Sequence, residues 1–296
     1  MTTLTSNDVQ EPKRTEKRVD KIDAHHHLWR YTPREYGWID DSMRALRRDF
    51  LPADLEKELK AMGIAGAVTV QARQTLEETD WLLSLAEASS FLRAVVGWAP
   101  IASSSFPAEL ERLRGNKKLK GLRHVIQDEA DANFINRPDF NRGIAALKGT
   151  GLVYDILIFE RQLPAALEFV DRHPNQVFVL DHMAKPRIRE GVTEPWRNNL
   201  SELARRENVY CKLSGLVTEA DWATWTENSL RVYVEVALAA FGPRRMMAGS
   251  DWPVCLVATA YGKWFTTVEH FVAKLSAVER ERIFGGTAIE AYGLHD

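Results

Sequence analysis

Lys21-Ile22-Asp23-Ala24-His25-His26-His27-Leu28-Trp29 is the stretch on which the reading of this chain turns. Ile22, Ala24 and Leu28 mark a short buried strand that runs directly into a His-x-His pair. Side chains alternate along a strand, so His25 and His27 share one face and His26 takes the other. Two imidazoles on one face can grip a single cation through ring nitrogens. The same pattern also suits a polar strand end whose histidines cap backbone groups. What decides between the two is the company these residues keep at the ends of other strands.

Seven further β-rich runs follow, at 66–72, 94–101, 119–126, 152–158, 177–182, 208–214 and 245–251. Helical patterns lie between most of them. Leu55, Leu59 and Met62 keep a 3.6-residue period behind the start signal Leu51-Pro52-Ala53-Asp54. Leu163, Ala166, Leu167 and Val170 do the same around Pro164, with His173-Pro174 closing the helix. Helices also fit 76–90, 138–149, 195–207, 222–241 and 264–275. Strands alternating with helices predict a parallel sheet, because parallel neighbours need long crossovers. Eight is the number that closes a barrel. An open doubly wound sheet is the competitor, but no Gly-x-Gly-x-x-Gly turn follows the first strand. The expected fold is therefore α/β, a single (β/α)8 (TIM-like) barrel, regular or distorted, over residues 21–296. A polar arm over 1–20, disordered or lying on the surface, precedes it. The stretches 28–51 and 183–196, rich in Arg, Pro and Trp, read as long loops over one mouth.

Composition bounds the function. The 296 residues, 45% of them hydrophobic, can build one large core. A net charge of −2 gives no electrostatic case for nucleic acid or an anionic membrane. No apolar run approaches the roughly 18 residues that span a bilayer, and the N-terminus lacks an apolar signal segment. Cys211 and Cys255 cannot make a disulfide framework and read as reduced thiols of a cytoplasmic protein. Oligomeric state is not legible.

In this fold the active site lies at the C-terminal ends of the strands. Those ends carry His25 and His27, Gln71, Trp98, Arg123 with His124, Asp155, Asp181 with His182, Lys212 with Ser214, and Ser250 with Asp251. Of the chain's eight histidines, those at 25, 26, 27, 124 and 182 sit at such ends, a bias that chance scattering does not favour.

Four stretches carry a resemblance. Lys21–Trp29, Val-Leu-Asp-His-Met-Ala-Lys-Pro at 179–186, Lys-Leu-Ser-Gly at 212–215 and Gly-Ser-Asp-Trp-Pro at 249–253 resemble the amidohydrolase superfamily. More narrowly, they resemble its amidohydrolase-2 group of sugar lactonases, hydrolases of L-fuconolactone and L-rhamnonolactone. The ending at 283–294 is similar to that group's last helix. The resemblance implies a (β/α)8 barrel that hydrolyses a cyclic ester, with a small sugar lactone as its partner. It matches His25, His27, His182 and Asp251 to metal ligands, and Asp251 to the group that takes a proton from the attacking water. The group's usual pattern adds a histidine on the strand after His182, where this chain has Lys212 and Ser214. No middle strand offers a bridging Lys or Glu; Asp155 is the nearest acid. The resemblance thus implies one divalent cation of zinc type, dispensable if protein cations polarise the carbonyl.

Opening a lactone needs a base, an oxyanion stabiliser and hydroxyl binders. Asp251 is the candidate base; its competing role is a helix N-cap, which Pro253 disfavours. Arg123 and His124 are adjacent, so on a regular strand only one faces the axis to polarise the carbonyl; the other role is a rim salt bridge. Lys212 is either a carbonyl binder or an interior lysine paired with Asp155. Gln71 and Asp155 suit hydroxyl recognition or satisfy each other. Trp29, Trp98 and Trp252 serve as a sugar platform or as core. Tyr31, Tyr36 and Trp38 can close over the substrate, and Asp23 can orient a histidine. Two rival functions stand beside the lactonase: a metal-dependent aromatic-acid decarboxylase, which needs the histidine that Ser214 replaces, and a non-catalytic ligand-binding barrel.

Overall fold

The computed structural model describes residues 19–294. Eight parallel strands pair in sequence order: β1 (Ile22–His26), β2 (Gly66–Val70), β3 (Leu92–Gly97), β4 (Leu119–Val125), β5 (Val153–Leu157), β6 (Phe178–Leu180), β7 (Val209–Leu213) and β8 (Met246–Ala248). The ring closes between β8 and β1 less regularly than elsewhere. There, His27 N donates to Trp252 O (2.6 Å) and Asp251 N to His25 O (2.8 Å). The expected (β/α)8 barrel is the observed fold, with its distortion at that seam.

Around the strands lie α1 (Pro52–Met62), α2 (Leu76–Ala88), α3 (Phe106–Leu113), α4 (Pro138–Ala146), α5 (Leu163–Arg172), α6 (Trp196–Leu203) and α7 (Leu216–Glu219). They continue as α8 (Glu227–Phe241), α9 (Tyr261–Phe271), α10 (Ala277–Glu281) and α11 (Thr287–Tyr292). Two differences from the sequence reading have local causes. The helix expected from 222 begins at Glu227, because the Asp221 carboxylate accepts from Ala223 N and Thr224 N and makes a turn there. Thr226 then caps the new helix by accepting from Ser229 N. Helix α3, not anticipated, is a short one whose Phe106, Leu110 and Leu113 face the core. Of the arm expected over 1–20, residues 1–18 lie outside the described residues; Asp20 pairs with Arg93 at 3.3 Å.

Two apolar layers result. One fills the space between strands and helices; the other, formed by Ile22, Ala24, Val68, Val70, Ala94, Val96, Val153, Val179 and Met247, fills the barrel. Tyr292 of α11 enters the barrel from below, and its hydroxyl donates to the Asp155 carboxylate at 2.9 Å. Above the apolar layer sits a charged one. Lys212 Nζ lies 2.5 Å from Asp155 Oδ2 and 3.0 Å from Asp181 Oδ1, and Arg123 donates to Asp181 Oδ2 at 2.8 Å. Two cations thus balance two carboxylates, with Lys212, Asp155 and Asp181 sealed from water and Arg123 reaching the cavity above. Burial raises the Asp155 pKa, with Lys212 opposing. Burial acts the same way on Asp181, but Lys212, His25 and Arg123 outweigh it and hold its carboxyl well below the usual range.

Breaking a buried pair on one side leaves an unbalanced charge, whereas removing both partners need not. Lys212→Met should therefore cost about 3–5 kcal/mol in urea unfolding at pH 7. The double variant Asp155→Asn/Lys212→Met should recover part of that loss. Equal stabilities of the single and double variants would mean that the two groups are not energetically coupled.

Candidate functional site

The first strand is not regular, and its irregularity builds the site. Asp23 stands opposite Ala67 and His26 opposite Thr69, so three steps on β1 match two on β2. Strict alternation would set His25 and His27 on the face opposite Ile22 and Ala24. The bulge keeps all four inside and turns only His26 outward, where its Nε2 meets Thr69 Oγ1 at 2.9 Å. Asp23 holds the bulge: its carboxylate accepts from His25 N (3.1 Å), Ser250 N (2.9 Å), Ser250 Oγ (2.7 Å) and Tyr261 OH (3.0 Å). It therefore orients a histidine, as expected, through the backbone.

Four side chains converge at the C-terminal mouth. His25 Nε2 lies 3.2 Å from His27 Nε2. Asp251 Oδ1 lies 3.4 Å from His27 Nε2, 3.7 Å from His25 Nε2 and 3.9 Å from His182 Nε2. Donor atoms around a tetrahedral zinc with bonds near 2.05 Å stand about 3.3 Å apart, so His25, His27 and Asp251 fit one such ion, with His182 beside Asp251 as a candidate fourth ligand. The tautomers fit too. His27 Nδ1 donates to Val70 O (2.8 Å), and His182 Nδ1 bonds Ser214 Oγ (2.9 Å), which leaves both Nε2 atoms for the centre. Burial lowers the His25 pKa well below its usual value, Lys212 helping, and takes that of His182 to about 4. Both are neutral at pH 7, the form that ligates a metal. Burial works to raise the Asp251 pKa, but His182 and His27 more than offset it and keep the carboxylate ionised.

The backbone is strained to achieve this. His182, Met183, Ala184 and Lys185 all have left-handed φ, between 48° and 58°, and so does Asp251 (57°). Each costs a side-chain-bearing residue on the order of 1 kcal/mol or more, and such outliers persist where the surroundings over-determine them. Two glycines make the space. A Cβ on Gly215 would stand 2.5 Å from His182 Nδ1, and one on Gly249 would stand 2.7 Å from His25 Cβ.

A cavity of about 630 Å³ opens above, lined by His27, Trp29, Arg123, His182 and Asp251 among others. Of the other expected site residues, Arg123 and Trp29 reach the cavity, while His124, Lys212, Asp155, Gln71, Trp98 and Trp252 do not line it, and their readings need correction. Register with β5 is regular, so Arg123 points inward while His124 points out; there it stacks on Phe134 (5.0 Å) and pairs with Glu129 at 2.6 Å. Lys212 and Asp155 are spent on each other below the floor, so neither polarises a carbonyl nor binds a hydroxyl. Gln71 holds Arg123, accepting from its guanidinium through both Oε1 (2.8 Å) and the backbone carbonyl (2.5 Å). Trp98 Nε1 faces His124 (3.3 Å), and Trp252 packs edge-on against Phe50. Trp29 reaches the cavity, but as a buried ring packed on Tyr36 and Phe50. Of the three aromatic residues expected to close over the mouth, Trp38 lines the cavity; Tyr36 is buried and Tyr31 packs on it.

Four residues have no role in the sequence reading, although Asp181 is placed there at a strand end. Asp181 fixes Arg123 and faces His25 Nδ1 at 3.3 Å. Lys185, Glu219 and Trp222 line the cavity. Asp181 and Lys185 stand in the quoted 179–186 stretch, where only its histidine was weighed. Glu219 and Trp222 carried no readable signal, because they follow a glycine turn in a stretch that looks like a helix start.

Comparison with known proteins sets this geometry in context. The family described as amidohydrolase matches residues 22–294. An L-fucono-1,5-lactonase of Burkholderia multivorans is 44% identical over 93% of this chain and 96% of its own. An L-fucono-1,5-lactonase of Burkholderia ambifaria is 40% identical over 92% and 95%. The crystal structure of an amidohydrolase from Burkholderia multivorans with bound zinc superposes with a TM-score of 0.91. It is 43% identical and covers 94% of this chain and all of the other.

Two expectations can be tested here. Ser214→Ala removes the partner of His182 Nδ1, and zinc affinity should fall about 10–100-fold, as for other groups that orient a ligand. Competition with a chelating dye reads this, and zinc analysis should give no more than about one ion per chain. The second concerns Glu78 in α2, whose carboxylate accepts from Ala72 N (3.0 Å) and Arg73 N (2.7 Å) and so fixes part of the cavity wall. Burial raises its pKa from 4.5 to about 7. Between those values the folded state binds a proton that the unfolded chain releases, so stability present at low pH is lost as pH rises through 7. The span is on the order of 3 kcal/mol. Glu78→Gln should flatten the denaturation midpoint between pH 5 and 8; an unchanged slope would exclude Glu78 as its source.

Proposed function

The chain belongs to the amidohydrolase family, and on that footing we propose that it hydrolyses sugar 1,5-lactones, L-fucono-1,5-lactone foremost, to the aldonic acid. The observation that carries this reading is the convergence of an ionised Asp251 with His27 and the neutral imidazoles of His25 and His182 at the floor of an open cavity. The curated relatives named L-fucono-1,5-lactonase support the substrate class. Against the decarboxylase stands Ser214, which occupies the place of the histidine that reaction requires. Against the silent barrel stands the backbone strain concentrated on His182 and Asp251.

An aldonolactone is an activated ester, so the chain need supply little force. Asp251 accepts a proton from the water that attacks the carbonyl carbon. The tetrahedral oxyanion collapses, the ring C–O bond breaks, and the ring oxygen leaves as a hydroxyl once that proton returns to it. Arg123, clamped by Asp181 and Gln71, sets a fixed positive charge at the cavity floor, where it favours the developing anion and the carboxylate product. A zinc-type cation held by His25, His27, His182 and Asp251 would add Lewis acidity to the carbonyl and the attacking water. With Lys212 and His124 outside the cavity, Arg123 is the clamped protein cation available for that task; Arg73, also on the wall, pairs with Glu35 at 3.1 Å. Cytoplasmic sugar catabolism is part of the proposal, supported by two buried free thiols; no helix among the described residues is long and apolar enough to cross a membrane.

Asp251→Asn should fold normally and lower kcat on L-fucono-1,5-lactone at least ~10²-fold, measured as proton release. Near-normal turnover in the folded variant would remove Asp251 from the mechanism.

A further inference from the structure

The cations at the floor are already engaged by protein acceptors. Arg123 gives its two terminal nitrogens to Asp181 and Gln71, and Lys212 lies between Asp155 and Asp181. Lys185 differs. Its ammonium approaches Glu219 Oε1 at 3.8 Å, beyond hydrogen-bonding range, and lies 5.4 Å from the centre of the Phe159 ring. Among the described residues, no hydrogen bond to either side chain is closer. Both charges are largely buried, with side-chain exposures of 17% and 22%. A loose pair at that depth, facing a cavity, carries donors and an acceptor that a ligand can use.

The local fold holds the pair in place. Lys185 ends the run of left-handed residues that begins at His182, so one strained turn aims both side chains at the same cavity. Glu219 closes α7, which follows directly on Gly215, the residue packed against the His182 ring. Next along the chain, Trp222 presents its indole to the same wall and is fixed by donating Nε1–H to Thr218 O at 2.9 Å. Lys185, Thr218, Glu219 and Trp222 also wall a second cavity of about 490 Å³, so they form the partition that a bound ligand leans against.

We propose that Lys185 and Glu219 form a hydroxyl clamp that recognises a vicinal diol of the lactone ring, with Trp222 beneath the apolar face of the sugar. This rests on the lactonase reading and deepens it by naming specificity-determining residues. A diol oxygen can accept from the ammonium while its neighbour donates to the carboxylate, which fills the 3.8 Å gap that the pair leaves open. An epimer with one hydroxyl inverted satisfies a single arm and leaves the other charge desolvated. That is the circumstance in which polar sites discriminate strongly.

The test uses the full chain with Lys185→Met and Glu219→Gln, each compared with wild type on a sugar 1,5-lactone and on δ-valerolactone, which has no hydroxyls. Each variant should lose about 10–100-fold in kcat/KM on the sugar lactone, and at least ~10-fold more than it loses on δ-valerolactone. Equal losses on both substrates, or no loss, would overturn the clamp. Titration calorimetry with the non-hydrolysable sugar 1,5-lactam reads the same clamp without turnover, and each variant should bind it about 10–100-fold more weakly. Wild type that binds the lactam but opens neither lactone would sink the lactonase reading and leave the clamp standing. Equal lactam affinity in wild type and both variants would sink the clamp alone.

Discussion

A buried carboxylate that three groups need at once organises this molecule. Asp181 accepts from Arg123, lies 3.0 Å from Lys212 and faces His25 Nδ1 at 3.3 Å. An isolated carboxylate in a dry barrel would carry a desolvation cost of several kcal/mol, so it exists there only because its neighbours supply the opposite charge. That requirement fixes in turn where Arg123 and Lys212 must lie. Arg123 can then reach the cavity only as a clamped, oriented cation, and His25 is held against one side of the group. The charged layer inside the barrel and the reactive layer at its mouth are therefore one structure.

The same economy explains where the backbone departs from its preferred conformations. The bulge in β1, the left-handed run at 182–185 and the left-handed Asp251 all fall at C-terminal strand ends. A regular strand delivers alternate residues to one side, and three imidazoles with a carboxylate cannot meet at one point by alternation alone. Each irregularity turns one extra side chain inward, and neighbouring glycines at 215 and 249 leave the room those turns require. The strain persists because packing and hydrogen bonding on every side hold it, as Asp23 does for the first strand.

How far this was legible follows from what each signal depends on. The barrel was readable because eight strands and their helices repeat one pattern, and a slip of a few residues at 92–97 or 227–241 does not disturb it. That His25, His27, His182 and Asp251 meet at one mouth was readable because they stand at strand ends in recognisable company. The roles of Lys212, Asp155, Gln71 and His124 were not. Whether a charged residue at a strand end faces substrate or another buried charge depends on one step of register and on the side chain across the barrel. Neither is local in sequence. Trp98 and Trp252 failed for a related reason: an aromatic beside a motif packs wherever apolar surface is nearest, and here that is away from the mouth.

The charge layer also bears on how many ions the site can take. Asp181 lies close enough to His25 and His182 to suggest a second metal position beside the first. Its oxygens, however, are already held by Lys212, sealed from water, and by Arg123, almost fully buried. A second divalent cation there would face two positive groups at close range with little screening, and would have to displace one of them from its partner. The strand position where a further histidine would add a ligand carries Ser214 instead, which orients His182 rather than binding an ion. For the proposed centre, this charge balance favours a single ion. The proposed chemistry is then shared between that centre and Arg123, a clamped cation that looks into the cavity.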